Sequence, residues 1–312
     1  MIDRFVDLAL GDMPDRALEL VAANPELRDD PWVALCLGDA SKIDDVNASG
    51  GPRDAPPILY ACVSKAAGRP IDAVRDLLAR GADPNVGEGP EWTPLSAACG
   101  RHRDPELVRL LLEAGASPND NDSLYHSMEA PIECAQLLFE HGAEANGTNA
   151  LAHALDYDRL EPVRLLLDHG ADPNEVRNLH HAVWRGRSPA CVRLLVERGA
   201  DVSVRDDDGR TAYAQAVRRG RTDLVDELAY LGSPTDVSAD DEAIGAIARG
   251  ERPNRRVELD AGSCEVRSST RQSRAARSRP SSSSTASACA GSSAARCCTT
   301  RHGTAVPTSR GA

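Results

Sequence analysis

The stretch LLDHGADPN, residues 166–174, decides the fold because it returns along the chain at nearly regular intervals. Each copy follows an apolar helical pattern, and glycine is the residue type that most often ends a helix in the left-handed conformation. Repeats of this kind are typical of solenoids, in which neighbouring units share one continuous core. The other copies are LLARGADPN (77–85), LLEAGASPN (111–119), LFEHGAEAN (138–146), LVERGADVS (195–203) and the weaker LAYLGSPTD (228–236).

A second, shorter helix precedes each copy. The segment EWTPLSAACG (91–100) shows it most clearly, because Thr93 can cap the helix and Pro94 can occupy its first turn. In the longer helix that follows, DPELVRLLLEAG (104–115), the aspartate can act as the N-cap and the glycine can end the helix. The repeating unit is therefore predicted to be helix, turn, helix, glycine and loop.

These units resemble the ankyrin repeat. The resemblance is carried by TPLSAA (93–98), GRTAYAQA (209–216) and the LLxxGADPN endings, and it covers residues 56–236 well and residues 3–55 weakly. The chain departs from the family pattern at the histidine of TPLH, which only the copy with His180 keeps. The resemblance implies an all-α, ankyrin-type solenoid of about 7–9 helix-turn-helix units. It also implies a non-enzymatic scaffold that binds a partner protein on its concave face.

The spacing between units predicts where the β-hairpin finger of an ankyrin junction is missing. Two junctions run for 14 residues from the glycine to the next inner-helix apolar residue, whereas three run for nine. Surface loops tolerate changes in length that packed cores do not, so the three short, central junctions are predicted to lack the finger. The long junctions are Gly81 to Leu95 and Gly199 to Tyr213, and the short ones are Gly115 to Leu124, Gly142 to Leu151 and Gly170 to Leu179.

Some of the histidines have structural explanations. His141 and His169 stand just before the helix-ending glycine, where a cation interacts favourably with the helix dipole. His180 stands at the family's motif position. Asp172 belongs to the GADPN turn, in which a short polar side chain bonds to the local backbone. We therefore interpret these residues as structural and not as metal ligands.

Three further histidines, His126, His153 and His181, stand one residue beyond the motif position in successive repeats and form what we call the histidine column. Packed helices lie roughly 8–10 Å apart, so two neighbouring imidazoles could share a metal that a third could not reach. No carboxylate or thiol is expected reliably beside the column, although zinc prefers three or four ligands. The open alternatives are ordinary packing, a pH-sensitive recognition stripe, and a metal- or small-ligand-responsive solenoid that uses the column.

The resemblance also locates a binding face, because the end of the inner helix of an ankyrin unit points toward the concave groove. Tyr157, Trp184 and Arg185 fall in this window in neighbouring repeats, and these residue types most often dominate interface energies. We predict them to be the centre of the partner site. The alternatives are that Trp184 fills a gap between inner helices and that Trp92 stacks on its neighbour. The predicted site is completed by Trp92, Arg218, Arg219, His126, His153 and His181.

The sequence shows no catalytic constellation. It contains no P-loop, GxGxxG, nucleophile elbow or HExxH motif. We therefore expect neither an enzyme nor a bound cofactor.

Charge and hydropathy constrain the partner and the compartment. The net charge of −12 is the sum of +7 in residues 261–312, from eight Arg and Glu265, and −19 in residues 1–260. This acidic part disfavours nucleic acid and favours a basic protein partner. No run of 18 apolar residues or signal peptide is visible, and the cysteines lack zinc-ligand spacing. We expect a monomeric cytoplasmic protein that does not bind membranes.

The chain divides into four parts. Residues 1–55 are predicted to be N-terminal capping and degenerate repeats, 56–236 the array, and 237–260 an incomplete terminal repeat. Residues 261–312 hold 13 Ser and 10 Ala but no Leu, Ile, Met, Phe, Tyr or Trp, too little apolar surface to offset the entropy of ordering. This tail is predicted to be disordered, or to be read out of frame, because 34 Arg and two Lys suit a GC-rich coding sequence.

Overall fold

A computed structural model describes residues 1–87, 93–120 and 122–253. All regular structure in these residues is helical, apart from two isolated β-bridges that join Gly50 to Ala55 and Arg205 to Thr211. No helix within this part of the chain is long and apolar enough to cross a membrane. Residues 261–312, which are predicted to be disordered or to be read out of frame, lie outside the described residues.

Sixteen α-helices follow one another along the described chain. They are α1 (Ile2–Leu10), α2 (Pro14–Ala23), α3 (Pro31–Cys36), α4 (Pro57–Val63), α5 (Ile71–Ala79), α6 (Pro94–Ala97), α7 (Pro105–Glu113), α8 (Ser123–Ser127), α9 (Ile132–Glu140), α10 (Ala150–Ala154), α11 (Leu160–Asp168), α12 (Asn178–Trp184), α13 (Pro189–Glu197), α14 (Ala212–Arg218), α15 (Thr222–Tyr230) and α16 (Ala239–Arg249).

These helices pack in two rows, which confirms the predicted helix-turn-helix solenoid. In the inner row each helix contacts the next, and its members are α1, α3, α4, α6, α8, α10, α12, α14 and α16. The outer row consists of α2, α5, α7, α9, α11, α13 and α15, and from α5 onward its members also contact in succession. Seven inner helices of the described chain are thus paired with an outer helix, whereas α3 and α16 have no outer α-helix in the described residues.

The predicted helix ends are confirmed. Thr93 accepts a hydrogen bond from the backbone N–H of Ser96 at 2.9 Å and forms a reciprocal capping box with it. Asp104 accepts one from the backbone N–H of Glu106 at 3.0 Å and caps α7. Gly115 follows α7 with φ of 93°, a conformation that favours glycine. Helix α6 continues into a π-helical turn over 98–102, which the sequence did not indicate.

The repeated leucines build the core between the two rows. The first leucine of every copy of the LLxxGADPN ending is fully buried, and complete burial of a leucine contributes about 1.5–3 kcal/mol. Each unit presents its leucine to the neighbouring units, so the core runs without interruption along the stack. These six residues are Leu77, Leu111, Leu138, Leu166, Leu195 and Leu228, each 0% exposed.

The three central junctions lack the finger, as predicted. Their described residues form no β-bridge, whereas the long junction before α14 contains the bridge between Arg205 and Thr211. The other long junction includes residues 88–92, which are not described. The inter-repeat loop therefore changes in length while the two helices of the unit are kept.

An asparagine in each of five successive loops bonds to the loop of the next repeat, and we call these pairs of bonds the asparagine rungs. In each rung the side-chain Nδ2 donates to the carbonyl of the helix-ending glycine, and Oδ1 accepts from the backbone N–H two residues beyond it. For Asn146 these distances are 3.0 Å to Gly170 and 2.7 Å to Asp172. The same pair of bonds is made by Asn47, Asn85, Asn119, Asn146 and Asn174.

The rungs end at the sixth loop for a chemical reason. Ser203 stands where the next asparagine would be, and its hydroxyl bonds instead to Asp201 in its own loop at 2.6 Å. The residue two beyond Gly232 is Pro234, which has no backbone N–H to donate. A full rung is therefore excluded at this junction by the proline alone.

Arginines join the repeats at the opposite edge, in the turns between inner and outer helices. Arg221 donates to the carbonyls of Gly186 at 2.7 Å and Arg187 at 3.1 Å, in the turn that follows the inner helix α12. Arg101 reaches two repeats, donating to the carbonyls of Val63 at 3.0 Å and Leu10 at 2.7 Å. Burial lowers the pKa of Arg101. The bonds of Arg101 satisfy the C-terminal carbonyls of α1 and α4, which have no partner within their own helices.

The two ends of the array depart from the regular unit. After α3, residues 39–49 form no helix and are held by Arg80, whose guanidinium donates to the carbonyls of Ala40 and Ile43. At the other end α16 packs closely on α14, because a Cβ on Gly245 would stand 2.1 Å from the carbonyl oxygen of Val217. Residues 254–260 of the predicted terminal repeat are not described.

Candidate binding surface

The centre of the predicted site lies at the C-terminal ends of two neighbouring inner helices. Tyr157 follows α10, Trp184 ends α12, and Arg185 comes next; together these three residues form what we call the inner-end surface. Tyr157 is 40% exposed and Trp184 is 38% exposed, so both offer aromatic surface to a partner. They belong to the few large hydrophobic side chains in the described chain that remain exposed.

Trp184 is held by charged neighbours from two repeats. The guanidinium carbon of Arg185 lies 4.6 Å from the centre of the indole ring, and that of Arg219 lies 5.7 Å from it. Both distances allow a cation–π attraction. The ring of His181 lies 5.9 Å away on the same helix. The indole is therefore fixed in place while part of its surface stays open.

Asp156 connects the neighbouring repeats beneath this surface. Its Oδ1 lies 2.7 Å from Nε of Arg185 and 2.9 Å from Nε2 of His181. Partial burial acts to raise the pKa of Asp156, but the hydrogen bond from His181 and the charge of Arg185 outweigh it, so the pKa is lowered. The carboxylate thus stays ionised and orients the side chains of Arg185 and His181.

Glu129 makes the corresponding connection one repeat earlier. Its Oε1 lies 3.0 Å from Nε2 of His153, and its other oxygen accepts from Arg103. Partial burial acts to raise the pKa of Glu129, but the bond to His153 and the charge of Arg103 prevail and lower it. The pKa of Tyr157 is raised by burial and by the nearby charge of Glu129.

The structure separates the members of the histidine column and corrects one expectation about it. Carboxylates do lie beside the column: Glu129 bonds His153, and Asp156 bonds His181. Sequence spacing does not show these pairs directly, because each acid lies one repeat before the histidine that it meets. The sequence did contain an indication of these pairs, since each acid stands three residues after a column histidine and so projects from the same face of its helix.

His126 takes a different role. It packs on the bare backbone of Gly100, where a Cβ would approach its ring to 3.0 Å.

His153 has the most enclosed position of the column. It is 8% exposed, and the ring of Tyr125 stacks on it with centroids 3.9 Å apart. Its Nδ1 makes no hydrogen bond in the described part of the chain and lies 3.5 Å from Oδ2 of Asp156. Across the described residues no group of three or more His, Cys, Asp or Glu side chains is arranged to hold a metal ion.

Three further histidines, His141, His169 and His180, serve the fold. His141 Nδ1 lies 2.9 Å from the carbonyl of Leu137 in the last turn of α9. The His169 ring stacks on Phe139 with centroids 4.0 Å apart. His180 Nε2 lies 3.0 Å from the carbonyl of Arg210 in the next junction. Each of these contacts lies within one unit or joins it to a neighbour.

The other predicted site residues fall in different places. Arg219 lies beside Trp184, as described above. Arg218 is directed inward: its guanidinium lies 2.9 Å from Asp241 of α16, and its side chain is 15% exposed. Asp241 is 3% exposed and also bonds Arg210. Trp92 lies outside the described residues.

The thiols of the described residues do not offer a nucleophile. The five cysteines there are free and buried. Burial raises the pKa of Cys36 and of Cys134 to about 12, and that of Cys191 to about 11. At neutral pH these side chains remain protonated, and they act as small hydrophobic residues of the core.

Comparisons with known proteins agree with this architecture. The family described as "Ankyrin repeats (3 copies)" matches residues 58–177, and the family described as "Ankyrin repeat" matches residues 179–207. Among solved structures, the ankyrin repeat domain of Bcl-3, a member of the IkappaB protein family, is 30% identical, and the match covers 52% of this chain and 81% of that chain with a TM-score of 0.45.

Two further structures are similar to the chain. The human ASB11 ankyrin repeat domain is 20% identical, and the match covers 74% of this chain and 98% of that one with a TM-score of 0.51. The ankyrin repeat protein EF0377 is 26% identical, with 55% and 97% covered and a TM-score of 0.47. No curated protein sequence matches the chain.

Proposed function

Because the chain belongs to the ankyrin repeat family, we propose that it is a non-enzymatic scaffold that binds a partner protein through the concave face of its array, with Tyr157, Trp184 and Arg185 at the centre. Arrays of this kind display variable side chains over one continuous surface. The observation that carries the proposal is the half-exposed indole of Trp184, held between the guanidinium groups of two repeats.

The energetics of association favour such a centre. A partner that covers Trp184 removes apolar surface from water, and aromatic and arginine side chains supply most of the energy at known interfaces. Because Arg185 and Arg219 already hold the indole, little side-chain freedom is lost when the partner binds. The missing fingers at the neighbouring junctions leave fewer loop residues beside this surface.

The test compares the double substitution Trp184→Ala/Arg185→Ala with the matched control Tyr230→Ala. Tyr230 lies on outer helix α15 and is 83% exposed, so the control removes an exposed aromatic from the other row. Proteins captured from the native host by the wild-type chain are quantified against both variants by mass spectrometry. We expect one protein to be kept by the control and lost with the double variant. With that protein purified, the double variant should weaken binding by at least about 2 kcal/mol.

Two results would contradict the proposal. One is a captured protein that binds the double variant as tightly as it binds the wild type. The other is a change in the circular dichroism spectrum of the double variant, which would assign Trp184 to the fold instead of to the partner.

We also propose that the scaffold acts as a monomer in the cytoplasm. The free, buried thiols of the described residues support a reducing compartment. Sedimentation equilibrium of the pure protein and fractionation of host cells test the two statements, and a stable dimer or recovery outside the cytoplasm would contradict them.

A further inference from the structure

A small cavity opens at the last described unit of the array, between α14 and α16. Its volume is about 330 Å³, and it is lined by Val217, Glu242, Ala246, Arg249 and Arg252. Ligand pockets in proteins range from about 300 to 1,000 Å³, so a cavity of this size fits a small molecule and not a folded partner. It shares no residue with the inner-end surface and therefore lies outside the function proposed above.

The apolar wall of the cavity is formed by two helices in direct contact. Val217 comes from α14 and Ala246 from α16, and both are half-buried. Gly245, the neighbour of Ala246, lies so close to α14 that an added Cβ would stand 2.1 Å from the carbonyl oxygen of Val217. Helices packed backbone to backbone have little freedom to separate. The wall is therefore formed before any ligand arrives.

Charged groups stand along the same wall. Glu242, Ala246 and Arg249 share one face of α16, because they are spaced by four and then three residues. A helix rises about 1.5 Å per residue, so the Cα atoms of Glu242 and Arg249 lie about 10 Å apart along its axis. The chain then turns at Gly250, whose φ is 82°, and Arg252 lines the same cavity. Glu242 and Arg252 are thus attached near opposite ends of this helix.

These two residues keep their charges available. Among the residues that the structure describes, neither Glu242 nor Arg252 has an oppositely charged partner. Arg249, by contrast, is neutralised by Glu251, because its Nε and Nη2 donate to the two carboxylate oxygens at 2.8 and 2.7 Å. Hydrogen bonding to Glu251 raises the pKa of Arg249. One carboxylate and one guanidinium therefore remain to meet the charges of a ligand.

We propose that the cavity binds a small zwitterion whose ammonium and carboxylate stand at the two ends of a short aliphatic chain, that is, an ω-amino acid. Its ammonium meets Glu242, its carboxylate meets Arg252, and its methylene groups cover Val217 and Ala246. A guanidinium binds a carboxylate through strong, charge-assisted hydrogen bonds, and burial of the methylene groups adds to the affinity. An α-amino acid, whose two charges are adjacent, does not span the distance between the two groups.

The experiment titrates 6-aminohexanoate, in the millimolar range, into the ¹⁵N-labelled full chain and follows the backbone amide signals by NMR. Hexanoate lacks the ammonium, hexylamine lacks the carboxylate, and glycine keeps both charges but holds them next to each other. We expect 6-aminohexanoate to shift the signals of Val217 and of α16. Each of the three analogues should bind at least about tenfold more weakly, because each leaves one charged group of the protein without a partner.

Two variants assign the two ends of the ligand. Arg252→Gln should lower the affinity for 6-aminohexanoate to that of hexylamine, and Glu242→Gln should lower it to that of hexanoate. Both side chains are exposed, so the circular dichroism spectrum should not change. Arg164→Gln, which removes an exposed arginine from the outer helix α11, is the matched control and should bind like the wild type.

Several results would overturn the proposal. They are a wild-type chain that shows no saturable binding of 6-aminohexanoate, an analogue that binds as tightly as 6-aminohexanoate, and an affinity that is unchanged in both variants. Loss of affinity in only one variant would leave a site for a single charge and would overturn the zwitterion assignment as well. The inner-end surface takes no part in this experiment, so none of these results bears on the proposed function.

Discussion

Val176 adopts a backbone conformation that is unusual for a β-branched residue. Its φ and ψ are 46° and 25°, and the next residue, Arg177, is also left-handed with φ of 56°. The short junction must leave the rung at Asn174 and enter α12 at Asn178, and two left-handed residues make this turn. Left-handed conformations cost a non-glycine residue about 1–2 kcal/mol, and Val176 remains 57% exposed, so burial does not offset that cost.

We therefore expect Val176→Asn to stabilise the protein by about 1 kcal/mol, because asparagine tolerates the left-handed region. Urea denaturation monitored by circular dichroism measures the change. Val225→Asn is the control, since its site in α15 is helical and offers no such gain. A lower midpoint for Val176→Asn would mean that the left-handed turn is not present in solution.

At the same scale, the sequence predicts side chains that act within one unit better than those that act between units. The caps at Thr93 and Asp104 depend on neighbours in sequence, and they were predictable. The bonds of Asn146 to the next loop and of Glu129 to His153 depend on the distance between stacked repeats. Sequence spacing alone does not give that distance.

Among the elements, the position of α16 against α14 depends on a buried charged side chain. Asp241 at its N-terminal end is 3% exposed, accepts from Ser238 and bonds the guanidinium groups of Arg210 and Arg218. Removal of one partner from a buried ion pair leaves the other charge without compensation. The helix is thus joined to α14 by a contact that apolar packing cannot replace.

We expect Asp241→Ala to destabilise α16 by about 3 kcal/mol while α8 to α12 stay folded, because units of a repeat array contact only their neighbours. Hydrogen exchange measured by mass spectrometry should show faster exchange in α16 and unchanged exchange in α12. Glu242→Ala, at the next position of the same helix and exposed, is the control. Equal acceleration throughout the array would contradict the local role of Asp241.

The number and order of the elements followed from the repeated endings, because each ending marks one outer helix. The presence or absence of fingers followed from spacing, as the described central junctions show. The lack of an outer helix after α3 and the π-helical turn at 98–102 did not follow. Both depend on how one unit packs against the next. The periodicity of apolar residues within a single unit does not specify that packing.

For the whole molecule, acid is expected to loosen the contacts between repeats. Hydrogen bonding to Arg69 lowers the pKa of Asp104, and the pKa values of Glu129 and Asp156 are lowered as described above. A lowered pKa in the folded state gives stability that is present above the ordinary values of 3.8 for Asp and 4.5 for Glu. That stability is lost as the pH falls through the folded values.

We therefore expect the melting temperature to fall as the pH is lowered from 7 to about 3. The fall should be shallower in Asp156→Asn, which has one such carboxylate fewer. Differential scanning calorimetry across this range measures both, and Asp226→Asn, which removes an exposed carboxylate of the outer helix α15, controls for the loss of charge alone. A melting temperature that is constant or rises on acidification would contradict the expectation.

The asparagine rungs have a mechanical consequence. When the two ends of the stack are pulled apart, the five rungs are loaded in series between the unit of α3 and the unit of α12 and α13. Beyond Ser203, where Pro234 offers no donor, the tension rests on other contacts. The units after α13 lack this bond to the preceding loop, whereas the segment that carries Tyr157 and Trp184 lies within the part of the stack that the rungs join. A partner bound there would stay bound while units outside the rungs extend.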